Sequence, residues 1–166
     1  MIRYFIIFLF LILSISCGSE GSELNQEQPK KEKKARVTKE LYDFSPSAFT
    51  ITEEWTAFKF LKTKINQIIK ESDNNAIEVI EELDKAILDV EKSIPVKIKN
   101  TSLNARLTVL KTQVGLYKDI VTEENSTNKE HVKQIHNIID AFNHCVFQIN
   151  DIVEKLETEE RYKDLQ

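Results

Sequence analysis

The sequence predicts an all-α protein: an antiparallel up-down-up-down four-helix bundle with a long C-terminal helix. Three observations carry this reading. Apolar residues from Trp55 onward recur at three- and four-residue intervals in four successive stretches, the spacing of one helix face. Glycine and proline number three each in 166 residues, too few turn formers for a many-stranded β domain. The connections between stretches are short, which forces neighbouring helices antiparallel.

The first helix is expected over about 53–71. Tyr42, Phe44 and Phe49, with Pro46 among them, mark where packing begins. Thr50 and Glu53 fit the S/T-x-x-E capping box, with Thr52 a second candidate cap. Trp55, Phe58, Leu61, Ile65 and Ile68 form the stripe, and Phe60 points off it. Residues 72–75 (SDNN) are a turn and N-cap cluster.

The second helix is expected over about 76–92, on Ala76, Ile80, Leu83, Ile87 and Val90, with Ile77 and Val79 widening its start. Ser93-Ile94-Pro95 ends it, because proline restricts the residue before it and cannot continue the helix. The third helix begins either at Pro95, as a first-turn proline, or at Ser102, because Asn100-Thr101-Ser102 is a poor helix interior. Its stripe is Leu103, Leu107, Leu110, Val114, Tyr117 and Val121. Gly115 lies on the other side, at a cost of ~1 kcal/mol relative to alanine.

Thr127 and Glu130 form another capping box, and the fourth helix carries Val132, Ile135, Ile139, Phe142, Val146, Ile149, Val153 and Leu156. At 1.5 Å per residue it spans roughly 45 Å against roughly 28 Å for the first helix. One end is therefore expected to protrude or to pair with a protein partner or a second copy of the chain. Phe147 and Ile138 lie off its stripe. Residues 157–166 are charged and expected to fray.

The N-terminal stretch MIRYFIIFLFLILSISC has one early charge, Arg3, then an apolar run of about a dozen residues, then small residues. A spanning helix needs roughly 20, so the order is that of a cleaved secretory leader. Leu13, Ser14, Ile15, Ser16 and Cys17, followed by Gly18, resemble the lipobox of bacterial lipoproteins. Ser14 stands where that family more commonly has leucine, a looseness typical of Bacteroidetes-like bacteria. The resemblance implies cleavage before Cys17, a diacylglycerol thioether on its sulfur and an acylated amino group. It further implies an outer-membrane location, since the aspartate that retains such proteins at the inner membrane is absent at Gly18. Glu20 and Glu23 are similar to a surface-export signal and equally to ordinary linker, so the face of the membrane stays open. Two or more acyl chains hold a protein stably on a bilayer.

The resulting plan is a leader over 1–16, a lipidated Cys17 with a disordered charged tether over 17–47, a helical domain over 48–160 and a frayed tail over 161–166. Within the tether, Glu20, Glu23 and Glu27 precede Lys30, Lys31, Lys33, Lys34, Arg36 and Lys39. Such charge blocks with little to bury read as a solvated spacer of roughly 30 Å reach. Contact of the basic block with anionic lipid is the alternative.

Removing the leader leaves 150 residues, 166 less 16, and a net charge of −5 from 22 basic and 27 acidic residues. That balance argues against nucleic-acid binding. No Gly-rich phosphate loop, nucleophile motif, HExxH or CxxC is present. Adjacent carboxylates such as Glu53/Glu54, Glu81/Glu82 and Glu159/Glu160 do not share a helix face, so no catalytic residue is expected.

His136, Asp140 and His144, at i, i+4 and i+8, line up donors suited to zinc or copper, and His131 lies about 140° round. Asp140 and His144 fall on the solvent side of the heptad, however, so neither metal nor cofactor is expected. Cys145 flanks the stripe as a half-buried small hydrophobe, with intermolecular disulfide formation as the other reading. The expected function is a lipid-anchored, non-catalytic interaction or scaffolding module of the cell envelope, similar to small helical lipoproteins of Bacteroidetes-like bacteria. The alternative is a periplasmic metal or small-ligand binder acting in stress sensing.

Overall fold

In the computed structural model, which describes residues 35–70, 76–163 and 165, every α-helix, turn and extended stretch belongs to an all-α fold without strands among the described residues. The chain divides into two units, Met1–Lys33 and Lys34–Gln166, and the helices among the described residues belong to the second. The leader, Cys17, the tether up to residue 34 and the SDNN turn lie outside the described residues.

Among the described residues the helices are α1 (Pro46–Thr52), α2 (Thr56–Lys70), α3 (Ala76–Lys92), α4 (Thr101–Thr122) and α5 (Asn128–Lys163), with a 3₁₀ turn at Val96–Ile98. Cross-helix contacts give the directions. Trp55 meets Ser93 and Lys64 meets Glu82, so α3 runs antiparallel to α2. Gln113 meets Gln134 and Tyr117 meets His131, so α5 runs antiparallel to α4. The α3–α4 pair is joined across the turn and tied by Glu81 and Lys118 at 4.0 Å. α5 also packs against α1, α2 and the 3₁₀ turn.

The periodic stripes are the core. Phe58, Leu61, Ile65 and Ile68 of α2, Ile80, Leu83, Ile87 and Val90 of α3, and Leu103, Leu107, Leu110, Val114 and Tyr117 of α4 are buried. Val79 joins them, whereas Ile77 stays exposed. On α5 the buried set is wider than the stripe. Ile138, Cys145 and Ile152, a heptad apart, are buried with Val132, Ile135, Ile139, Phe142, Val146, Ile149 and Val153. A helix flanked by neighbours on several sides buries more than one seam.

The helix expected over 53–71 is divided. Ser45 is the N-cap of α1, accepting from the Ala48 N–H, and Pro46 occupies the first turn. Thr50 and Glu53 do not form a capping box: Thr50 lies inside α1, and Thr52 turns its hydroxyl back to the Ala48 carbonyl at 2.8 Å. Trp55 N–H bonds the Thr52 carbonyl at 2.9 Å, and α2 starts at Thr56. The break lets Trp55 enter the core while its indole N–H donates to Ser93 Oγ at 3.0 Å.

α4 begins at Thr101, with Asn100 Oδ1 accepting from the Leu103 N–H at 2.8 Å. The poor helix interior at Asn100 is thus a cap. The second capping box is present: Glu130 accepts from the Thr127 N–H at 2.7 Å and its own N–H donates to Thr127 Oγ1 at 3.3 Å. That backbone bond, then the Thr127 hydroxyl, holds the Glu130 carboxyl below the usual range. α5 stays helical through Lys163, further than its charge suggested, and Arg161 bonds back to the Glu157 carbonyl and to Thr158 Oγ1. Its 36 residues span roughly 54 Å.

Space around Gly115 in α4 is open: a Cβ placed there meets nothing within 4 Å. Gly115→Ala is expected to raise stability by about 0.5–1 kcal/mol through lower unfolded-chain entropy, read as a higher urea midpoint with an unchanged slope.

Candidate functional site

Residues 37–45 do not behave as the free tether that their composition suggested. They form an extended strap along α5. The Thr38 N–H donates to His136 Nε2 at 3.0 Å. Asn143 takes the Tyr42 N–H on Oδ1 at 2.7 Å and gives Nδ2–H to the Glu40 carbonyl at 2.9 Å. The Ser45 N–H donates to Asn150 Oδ1 at 3.0 Å. His136, Asn143 and Asn150 stand a heptad apart and so lie in one row on the helix.

The lengths match. Seven extended residues from Thr38 to Ser45 cover roughly 23 Å, and fourteen helical residues from His136 to Asn150 cover roughly 21 Å. Thus α5 supplies, with side chains, the partners that a neighbouring strand would otherwise give this backbone. Val37, Leu41 and Phe44 pack onto the core from the strap. Lys39 adds an ion pair to Asp140, half-exposed on both sides and so a small contribution of below about 1 kcal/mol.

This arrangement accounts for the metal-like triad. His136 Nε2 accepts from the Thr38 backbone and Asp140 holds Lys39, while His144 is exposed. Among the described residues no group of three or more His, Cys, Asp or Glu could hold a metal ion. His131 lies at the α4–α5 connection, its ring edge-on to Tyr117 at 5.8 Å and its Nε2 2.9 Å from Ser126 Oγ.

Cys145 is fully buried rather than half-buried, and burial pushes its thiol up to about 12, against a smaller opposing pull from Arg106. A thiol so placed cannot reach a second chain without opening the core, which removes the intermolecular disulfide reading. Ile138 is likewise core, whereas Phe60 and Phe147 are exposed.

Two clefts open beside these elements. The larger, about 750 Å³, lies where the start of α2 meets the end of α3 and is lined by Ile51, Glu54, Trp55, Phe60, Lys92 and Pro95, among others. The smaller, about 330 Å³, lies between the strap, α1, α2 and α5. Its floor is a run of rings: Phe58 has its centroid 5.1 Å from Phe44 and 5.1 Å from Phe142. Lys59 and Lys62 stand at its edge.

No described helix is long and apolar enough to cross a membrane. No protein-family model, curated protein or solved structure matches the chain.

The strap and the buried thiol can each be tested. Asn143→Ala leaves the Tyr42 N–H and the Glu40 carbonyl without their partners and is expected to cost about 1–3 kcal/mol. Hydrogen exchange should then speed up at Tyr42 and Ser45 while the α4 amides keep their protection, and an unchanged Tyr42 rate would show that the strap is held some other way. The Cys145 thiol, raised in the folded state, contributes stability fully below its ordinary value near 9.0 and loses it as pH rises toward about 12. Between pH 8 and 10.5 the wild type is expected to lose about 2 kcal/mol more than Cys145→Ala, measured by urea titration of both chains.

Proposed function

We propose that the chain is a lipid-anchored protein of the cell envelope, seated on the outer membrane, whose helical domain acts by binding rather than by catalysis. The observation that carries this is the run Leu13, Ser14, Ile15, Ser16, Cys17, Gly18 behind a short apolar leader with one basic residue. Acyl groups on Cys17 would hold the mature chain at a bilayer without a spanning helix.

What supports binding over catalysis is where the polar groups go. His136, Asp140, Asn143 and Asn150 are occupied by the strap, and Ser93 by Trp55. The outer surface offers apolar side chains instead: Phe60 beside the larger cleft, Val96 on the 3₁₀ turn, Val109 and Leu116 on α4, and Phe147 on α5. Exposed rings next to a concave surface are the usual makings of a protein-binding face.

Metabolic labelling with palmitate in a bacterial host tests the anchor. The wild-type chain is expected to take up label and to sediment with membranes, while Cys17→Ala takes up none and keeps its leader. Equal labelling of both chains, or an unlabelled wild type in the soluble fraction, would sink the proposal.

A further inference from the structure

The smaller cleft has the composition of a ligand site. Tyr42 on the strap and Phe49 on α1 line it, 60% and 52% exposed, while its floor rings, Phe58 and Phe142, are almost wholly buried at 2% and 0%. Two aromatic faces therefore stay wet over a dry aromatic base, and filling the space between them removes apolar surface from water. The volume of about 330 Å³ is at the small end of ligand pockets and holds about eleven water-sized atoms.

The rim is charged. Lys59 lies 5.9 Å from the centroid of the Phe49 ring and donates to the Glu53 carbonyl. Lys62 donates to the Tyr42 carbonyl at 3.3 Å and pairs with Asp43. Two ammonium groups against one carboxylate leave a net positive edge. Each ammonium has three donors, so each can take a carboxylate oxygen while keeping its protein partner. The strap wall is positioned in advance by its bonds to α5.

We infer that this cleft binds a medium-chain carboxylate of about eight to ten carbons. Its tail lies between Tyr42 and Phe49 on the Phe58–Phe142 floor, and its head group sits at Lys59 and Lys62. The inference is separate from the anchor, and the Cys17→Ala chain is expected to bind equally well.

The test uses the full chain in lipid nanodiscs and a decanoate analogue with a diazirine on its tail. Photolabelling mapped by mass spectrometry is expected at Tyr42, Phe49 or Phe58, with unlabelled decanoate competing. Phe49→Asp should lower labelling roughly ten-fold by removing one apolar wall. Lys59→Gln combined with Lys62→Gln should weaken decanoate competition about three- to five-fold and leave competition by decanol unchanged. Should Phe49→Asp lose helical circular dichroism, Tyr42→Ser on the strap is read in its place. Labelling spread over other surfaces, or unchanged in both wall variants, overturns the site. Equal competition by decanol and decanoate in the wild type overturns the carboxylate assignment.

Discussion

The ring of Phe58 is where the strap, the corner before α2 and α5 converge. Its centroid is 5.1 Å from Phe44 on the strap, 5.0 Å from Trp55 at the break before α2 and 5.1 Å from Phe142 on α5. Tilted aromatic pairs at such separations add about 0.5–1.5 kcal/mol each beyond their buried area. Trp55 extends the connection, since its indole N–H reaches Ser93 at the end of α3. Strap, α1–α2 corner, α3 terminus and α5 are thus registered on one side chain, and the floor of the smaller cleft is a by-product of that registration.

What the sequence disclosed depended on how local the signal was. The stripes of α3, α4 and α5 are legible because each face is written within a few turns of its own helix, and most of their residues are buried, with Val121 and Leu156 only partly so and Ile77 exposed. The start of α1 is also written locally, as Ser45-Pro46, but the capping-box pattern at Thr50 and Glu53 points to a single helix from about 53 and hides the break at Trp55. The strap was not legible. Its apolar residues, Val37, Leu41 and Phe44, are few among charges, and its partners lie about a hundred positions away. Asn143 and Asn150 carry no signal in the sequence, because nothing near them shows what covers them. The row His136, Asp140, His144 was visible as a cluster. Its use was not, because a histidine accepting from a backbone amide and a histidine binding a metal look alike in one dimension.

α5 is consequently two helices in one. One flank carries the apolar seam toward α4, and the row His136–Asn143–Asn150 serves as a polar rack for extended backbone. The division explains why Cys145 and Ile138, flanking residues by heptad position, are core. It also leaves the outward surface of α4, with Val109 and Leu116, free of any internal duty.

The strap also has a mechanical meaning. It runs parallel to α5, starting from the His136 end, and its attachments are strung out in order along the chain: Thr38, Lys39, Glu40 with Tyr42, then Ser45. A load applied at Ala35 and directed away from the helix falls on the first of these alone, then on the next. Bonds loaded in series yield one at a time, at far lower force than the same bonds sheared together. Peeled from Ala35, the strap gives up its bonds at Thr38 to Tyr42 one by one before tension reaches Phe44 and the packed rings around Phe58.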